Sequence, residues 1–244
     1  MKSQIENLVS IGCSYMTTYF SDPPNHTGTE VAQSLGLKHI DGWSRCGASN
    51  DEIIAKAQMF FLKDRERVRD TFALIGMTES QRVGTMENWF IHWPDLCIWD
   101  KDWFSEQGDE KEISLKTPED GSYKNEQSVG WTTHTNRMKS GDLAFRAIRQ
   151  ALELQNFFKF MGIKYCIYHG VRPWPIYERI KPHGLKYLLD SIDETCFYLP
   201  FKYSHCRKIH DEEGLIYKGH PNFEGHKVWS KEITSFIEKN ELLK

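Results

Sequence analysis

Short apolar runs ending at glycine recur along this chain, alternating with stretches whose apolar residues return every three or four positions. Asn7 to Gly12 is one such run and Thr71 to Gly76 is another; Ile163 to Tyr168 is a third, entered through Gly162. Runs of this length, apolar on both sides, fit strands buried on both faces of a sheet. Lys38 to Gly42 reads as a shorter, edge-like strand. The pattern turns helical over Thr27 to Leu35, with Thr29 as candidate cap and Val31, Leu35 and Leu37 apolar. Ser49 or Asn50 caps a second helix, with Ile53, Ile54, Ala57, Met59 and Phe60 on its inner side. Asp142 to Met161 carries Leu143, Phe145, Ile148, Leu152 and Phe157 on one stripe. Lys227 to Leu243 does the same with Val228, Trp229, Ile233, Phe236 and Ile237. Strands alternating with helices predict an α/β fold, a three-layer α/β/α doubly wound parallel sheet of flavodoxin-like type, in one domain spanning residues 1–244.

The rhythm breaks between Ser80 and Ser140. That segment holds Trp89, Trp93, Trp99, Trp103 and Trp131 among acidic and lysine residues. A structureless loop of that length is uncommon inside a compact domain, so residues 80–140 read as an insertion or lid over the strand ends. Its tryptophans either anchor that insertion to the sheet or form a sugar- or acyl-binding surface. Lys181 to Tyr217 gives no clear pattern.

Charge and cysteine usage remove several function classes. A formal net charge of −3 leaves no basic footprint for nucleic acid or an anionic membrane. No stretch approaches the ~18 apolar residues of a membrane span, and the N-terminal apolar run has strand length. The expected location is cytoplasmic. Six cysteines lie scattered without C-x-x-C spacing, which argues against a zinc ribbon or a disulfide scaffold and for a reducing compartment. Cys166, inside an apolar run, reads as a buried free thiol. Cys206 and His210, with His205, lack a second ligand pair, so no metal is expected. No cofactor is expected either. The first loop holds Tyr15, Met16 and Tyr19 where a phosphate-cradling loop would need small and hydroxyl residues.

Chemistry concentrates in four segments at or beyond carboxyl strand ends: Gly12-Cys13-Ser14-Tyr15, Gly47-Ala48-Ser49-Asn50-Asp51, Gly76-Met77-Thr78-Glu79 and Gly219-His220-Pro221-Asn222. A parallel sheet gathers such ends on one edge, so Ser14 and His220 can meet as nucleophile and base although they stand near opposite ends of the chain. Glycine turns expose backbone N–H groups able to hold an oxyanion. Cys13 is a rival thiolate nucleophile or, more simply, a residue packed beneath the loop. His226 reads as structural, and capping accounts for Asn50 or Asp51. Arg82, His169 and Arg172 follow strand ends and are candidate substrate contacts, with Asn50 a fourth.

Taken in order, these blocks resemble the SGNH (GDSL-like) hydrolase superfamily, and the resemblance covers nearly the whole chain with the Trp-rich segment as an insertion. The Gly-Cys-Ser-Tyr and Gly-Ala-Ser-Asn-Asp pair also looks like versions carried by tailed bacteriophages and marine bacteria. The resemblance implies Ser14 as nucleophile, His220 as base, and an oxyanion hole from Ser14, Gly47 and Thr78. It implies ester hydrolysis on a small-molecule or glycan ester, such as an O-acetyl group on carbohydrate. Two positions depart from the family pattern. Thr78 stands where asparagine is usual, and Tyr217 stands where an aspartate usually precedes the histidine by three residues. A Ser–His dyad is therefore expected, the alternative being an SGNH-like scaffold that binds a glycan or protein.

Overall fold

The computed structural model describes residues 5–13, 16, 26–44, 48–78, 140–170, 186–198, 215–217 and 220–244; for 140–144, 216–217 and 220 it describes the backbone alone. Five parallel strands form one sheet: β1 (Asn7–Gly12), β2 (Lys38–Ile40), β3 (Thr71–Met77), β4 (Tyr165–His169) and β5 (Phe197–Tyr198). Their spatial order is β2-β1-β3-β4-β5. β6 (Ile216–Tyr217) and β7 (His220–Pro221) pair antiparallel as a separate ribbon. The helices are α1 (Thr27–Ser34), α2 (Asn50–Lys63), α3 (Arg67–Asp70), α4 (Ser140–Met161), α5 (Lys186–Leu189) and α6 (Phe223–Lys239).

Helices cover both faces of the sheet, which is why its central strands carry almost no exposed surface. β3 is buried at every position from Thr71 to Met77. On one face α1 packs beside α6, and on the other α2 packs beside α4. The second face is closed by edge-to-face rings running from Trp43 through Phe60 and Phe61 to Phe158, with Tyr165 beneath. The first face is closed by Trp229 of α6, which lies against Tyr168 of β4 and Tyr198 of β5. Each fully buried ring of this kind stabilises the fold by roughly 2–3 kcal/mol through burial alone. The three-layer, doubly wound architecture expected from the sequence is the one observed.

Local chemistry shifts several expected details. α1 begins at Thr27 because His26, not Thr29, is its cap: the ring Nδ1 accepts from the Gly28 N–H at 3.0 Å. α2 is capped by Ser49, whose hydroxyl accepts from Glu52 N–H at 3.3 Å. Met59 and Phe145, expected inward, are 45% and 37% exposed, so the apolar stripe is narrower than the count of apolar residues suggests. The last helix starts at Phe223 rather than Lys227, because the Asn222 side chain accepts from Gly225 N–H at 2.9 Å. β2 stops at Ile40, before Gly42 adopts φ +86°. The 80–140 insertion lies outside the described residues, Ser140 and its backbone excepted.

Candidate active site

The chain winds from β1 outward to β2 and then crosses back to β3, so the winding direction reverses between β1 and β3. In such sheets the crevice beyond the carboxyl ends at that switch point is where ligands bind. Gly12 at the end of β1 stands in register with Gly76 of β3. The Met16 side chain sits down onto both: a Cβ at Gly12 would lie 2.5 Å from Met16 Cγ, and one at Gly76 would lie 2.9 Å from it. Only glycine permits that approach. The Tyr168 hydroxyl, from β4, donates to the Met16 sulfur from the side. Met16 N–H returns to the Cys13 carbonyl at 2.9 Å, and Cys13 and Met16 are both fully buried. The chain is thus pinned immediately before and shortly after Ser14. Ser14 itself lies outside the described residues, as do Gly47, Arg82 and Arg172.

The end of β3 is fixed from α2. Asn50, the first residue of that helix and fully buried, turns its amide toward Thr78. Its Oδ1 accepts from the Thr78 N–H at 2.8 Å, and its Nδ2 donates to the Thr78 carbonyl at 3.2 Å. The side chain therefore caps both polar groups of one residue just past a strand end, as a neighbouring strand would have done. The Thr78 hydroxyl is buried and has no hydrogen-bond partner among the described residues. Asp51, one position on, points elsewhere: it accepts from Arg146, and from Gln150 Nε2 at 2.6 Å, tying α2 to α4.

His169 ends β4, buried, with its ring 5.1 Å from that of Phe197. The Gly170 N–H donates to the Met77 carbonyl at 2.7 Å, so β4 and β3 stay joined to their last residues. The backbone of His220 pairs with Tyr217 in the β6–β7 ribbon, and its side chain lies outside the described residues. Beyond it α6 is tied back to α1. His226, buried in its first turn, accepts at Nδ1 from the Thr27 N–H at 3.1 Å, which makes it a structural acceptor.

A second polar cluster lies under α1, and sequence reasoning missed it. Ser10, in the middle of β1, is 2.8 Å from Nε2 of His39 on β2. The His39 ring stands edge-on to His26 at 4.8 Å, and His26 Nε2 faces Asp41 at 3.7 Å. Burial, then the neighbouring His26, lowers the His39 pKa to about 4. The His26 ring beside it holds Asp41 down to about 2, with the Gly42 N–H also donating to its carboxylate. The one signal in the sequence was a serine inside an otherwise apolar strand. Ser10 does not act as a nucleophile here: it is buried beneath Gly28, whose Cβ, if present, would lie 2.6 Å from the Ser10 hydroxyl.

Cys166 is a free, fully buried thiol, and burial raises its pKa well above the usual thiol value. Among the described residues no group of His, Cys, Asp or Glu is placed to hold a metal ion, and no helix is long and apolar enough to cross a membrane. Cys206 and His210 lie outside the described residues.

No family model and no curated protein matches the chain. Among solved structures it is similar to a Bacteroides fragilis protein assigned as an acylhydrolase, at 13% identity and a TM-score of 0.44, covering 98% of this chain and 88% of that one. It is also similar to a Desulfitobacterium hafniense protein assigned to the G-D-S-L lipolytic family, at 10% identity and TM-score 0.46, covering 94% and 98%. A GDSL-like lipase from Bacteroides thetaiotaomicron aligns at 11% identity and TM-score 0.39, covering 96% and 88%.

Proposed function

We propose that this chain is a serine ester hydrolase of SGNH type, with Ser14 as nucleophile and His220 as base. The observation that carries the proposal is the register of Gly12 with Gly76 at the switch point. Ser14 and Thr78 each follow one of these glycines by two positions in the sequence, and the glycines themselves lie on neighbouring strands ~4.8 Å apart. Met16, two positions past Ser14 in the sequence, is bonded by Tyr168, and Tyr168 also packs against Trp229 on the helix that follows His220.

In the proposed reaction the Ser14 hydroxyl attacks the acyl carbonyl as His220 takes its proton. The tetrahedral oxyanion is held by the N–H groups of Ser14 and Gly47 and by the Thr78 hydroxyl. Collapse expels the alcohol, protonated by His220. Water, deprotonated by the same histidine, then attacks the acyl-enzyme and releases the acid and Ser14. Thr78 has no exposed surface, so admitting the acyl group requires whatever covers it to part. Arg82, His169 and Arg172 are the proposed substrate contacts. A small acyl ester, such as an O-acetyl group on carbohydrate, is the proposed substrate class.

The test is hydrolysis of p-nitrophenyl acetate by the wild-type chain and by Ser14→Ala and His220→Ala. Both substitutions are expected to abolish turnover while leaving the melting temperature unchanged. Turnover that survives Ser14→Ala rejects the assignment.

A further inference from the structure

We infer that Asn50 is a positioning residue that works through Thr78, and is not itself a substrate contact. The inference rests on the serine hydrolase reading and deepens it. Two hydrogen bonds, at 2.8 and 3.2 Å, join the Asn50 amide to the N–H and C=O of Thr78, two positions past the aligned glycine of β3. With Oδ1 and Nδ2 both bonded to the backbone of one residue and its side chain fully buried, Asn50 is committed to holding Thr78. The bonds fix the backbone of Thr78 on both sides of its Cα, which leaves only χ1 to place the hydroxyl.

That hydroxyl is the unusual part of the arrangement. A buried hydroxyl without a partner is destabilising, because it has given up water and gained no bond in exchange. Thr78 Oγ1 is in that state among the described residues, directly beyond the switch point. A short hydroxyl has less reach than a side-chain amide, so its carrier must be held more strictly for it to meet a developing oxyanion. The Asn50 amide supplies that constraint. It is itself held at the start of α2, between the Ser49 cap and the Asp51 links to Arg146 and Gln150 on α4.

Asn50 and Thr78 thus act as one functional unit. Thr78→Val keeps the side-chain shape and both backbone bonds but removes the donor; kcat for p-nitrophenyl acetate is expected to fall by ~10²-fold. Asn50→Ala is expected to lower kcat at least ~10-fold with KM changed less than about threefold. The double variant is expected to be no slower than Thr78→Val alone, because residues acting as a unit do not multiply. Should Asn50→Ala fail to fold, Asn50→Asp serves instead. Its carboxylate keeps the acceptor for Thr78 N–H, and on protonation it regains a donor for the Thr78 carbonyl, so its kcat relative to wild type is expected to rise as pH falls. Multiplicative losses in the double variant, or a raised KM with kcat intact, overturn the inference while the hydrolase reading stands. Activity retained in Ser14→Ala instead removes the hydrolase reading, and the inference with it.

Discussion

The polar cluster beneath α1 ties the stability of this fold to pH through His39. Its folded-state pKa is about 4, against an ordinary value of 6.5, chiefly because burial disfavours the imidazolium. The unfolded chain therefore takes up a proton first. The stability associated with the neutral ring is fully present above pH 6.5 and is lost as the pH falls toward 4. A shift of this size corresponds to at most ~3 kcal/mol over the whole window, and to ~2 kcal/mol between about pH 7 and pH 5. The ring is only partly buried, so solvent screening reduces the expected loss in that interval to about 1 kcal/mol. The control is His39→Gln, whose side-chain amide can still bond Ser10 but does not titrate. Urea unfolding at both pH values reads the effect. Wild type is expected to lose about 1 kcal/mol more than His39→Gln, or roughly 2–4 °C in melting temperature. Equal slopes for the two proteins, or a His39 pKa at or above its ordinary value by NMR titration, refute the reasoning. Asp41 contributes in a separate window. Its pKa is lowered from 3.8 to about 2, so its share is intact above 3.8 and disappears only below that.

Gly28→Ala forces α1 away from β1, since the new methyl would meet Ser10; a loss of about 1–3 kcal/mol is expected in denaturant unfolding. Phe158→Ala empties the ring contact between Phe61 and Tyr165 and is expected to cost about 3–5 kcal/mol by the same measurement. Cys166 is expected to resist a thiol-specific reagent in the folded protein and to react at the rate of a model thiol in denaturant, as followed by peptide mass spectrometry.

The fold was legible where burial on both faces leaves an uninterrupted apolar run. β1, β3 and β4 are such runs, and their alternation with helices forces the parallel arrangement. Helix starts were less legible. His26 caps α1 although imidazole is an uncommon cap, and Asn222 caps α6 so that it starts at Phe223, five residues before Val228, the first residue of the expected apolar face. Periodicity also counted Met59 and Phe145 as core, because it registers apolar residues and not the width of the face that neighbours cover. Contacts between distant segments were not legible at all. The Asn50–Thr78 bonds span 28 positions, and the Ser10–His39 bond joins two strands of which one is only three residues long. Of the candidate site residues, Asn50, Thr78 and His169 lie among those fully described, His220 through its backbone, and Ser14, Gly47, Arg82 and Arg172 outside them.

The central claim is that Ser14 is an activated nucleophile, and active-site titration with a fluorophosphonate probe tests it most directly. One covalent adduct per chain, mapped by peptide mass spectrometry to Ser14 and absent from His220→Ala, is the predicted result. An unlabelled wild-type chain, or an adduct on Cys13 or any other residue, would contradict it.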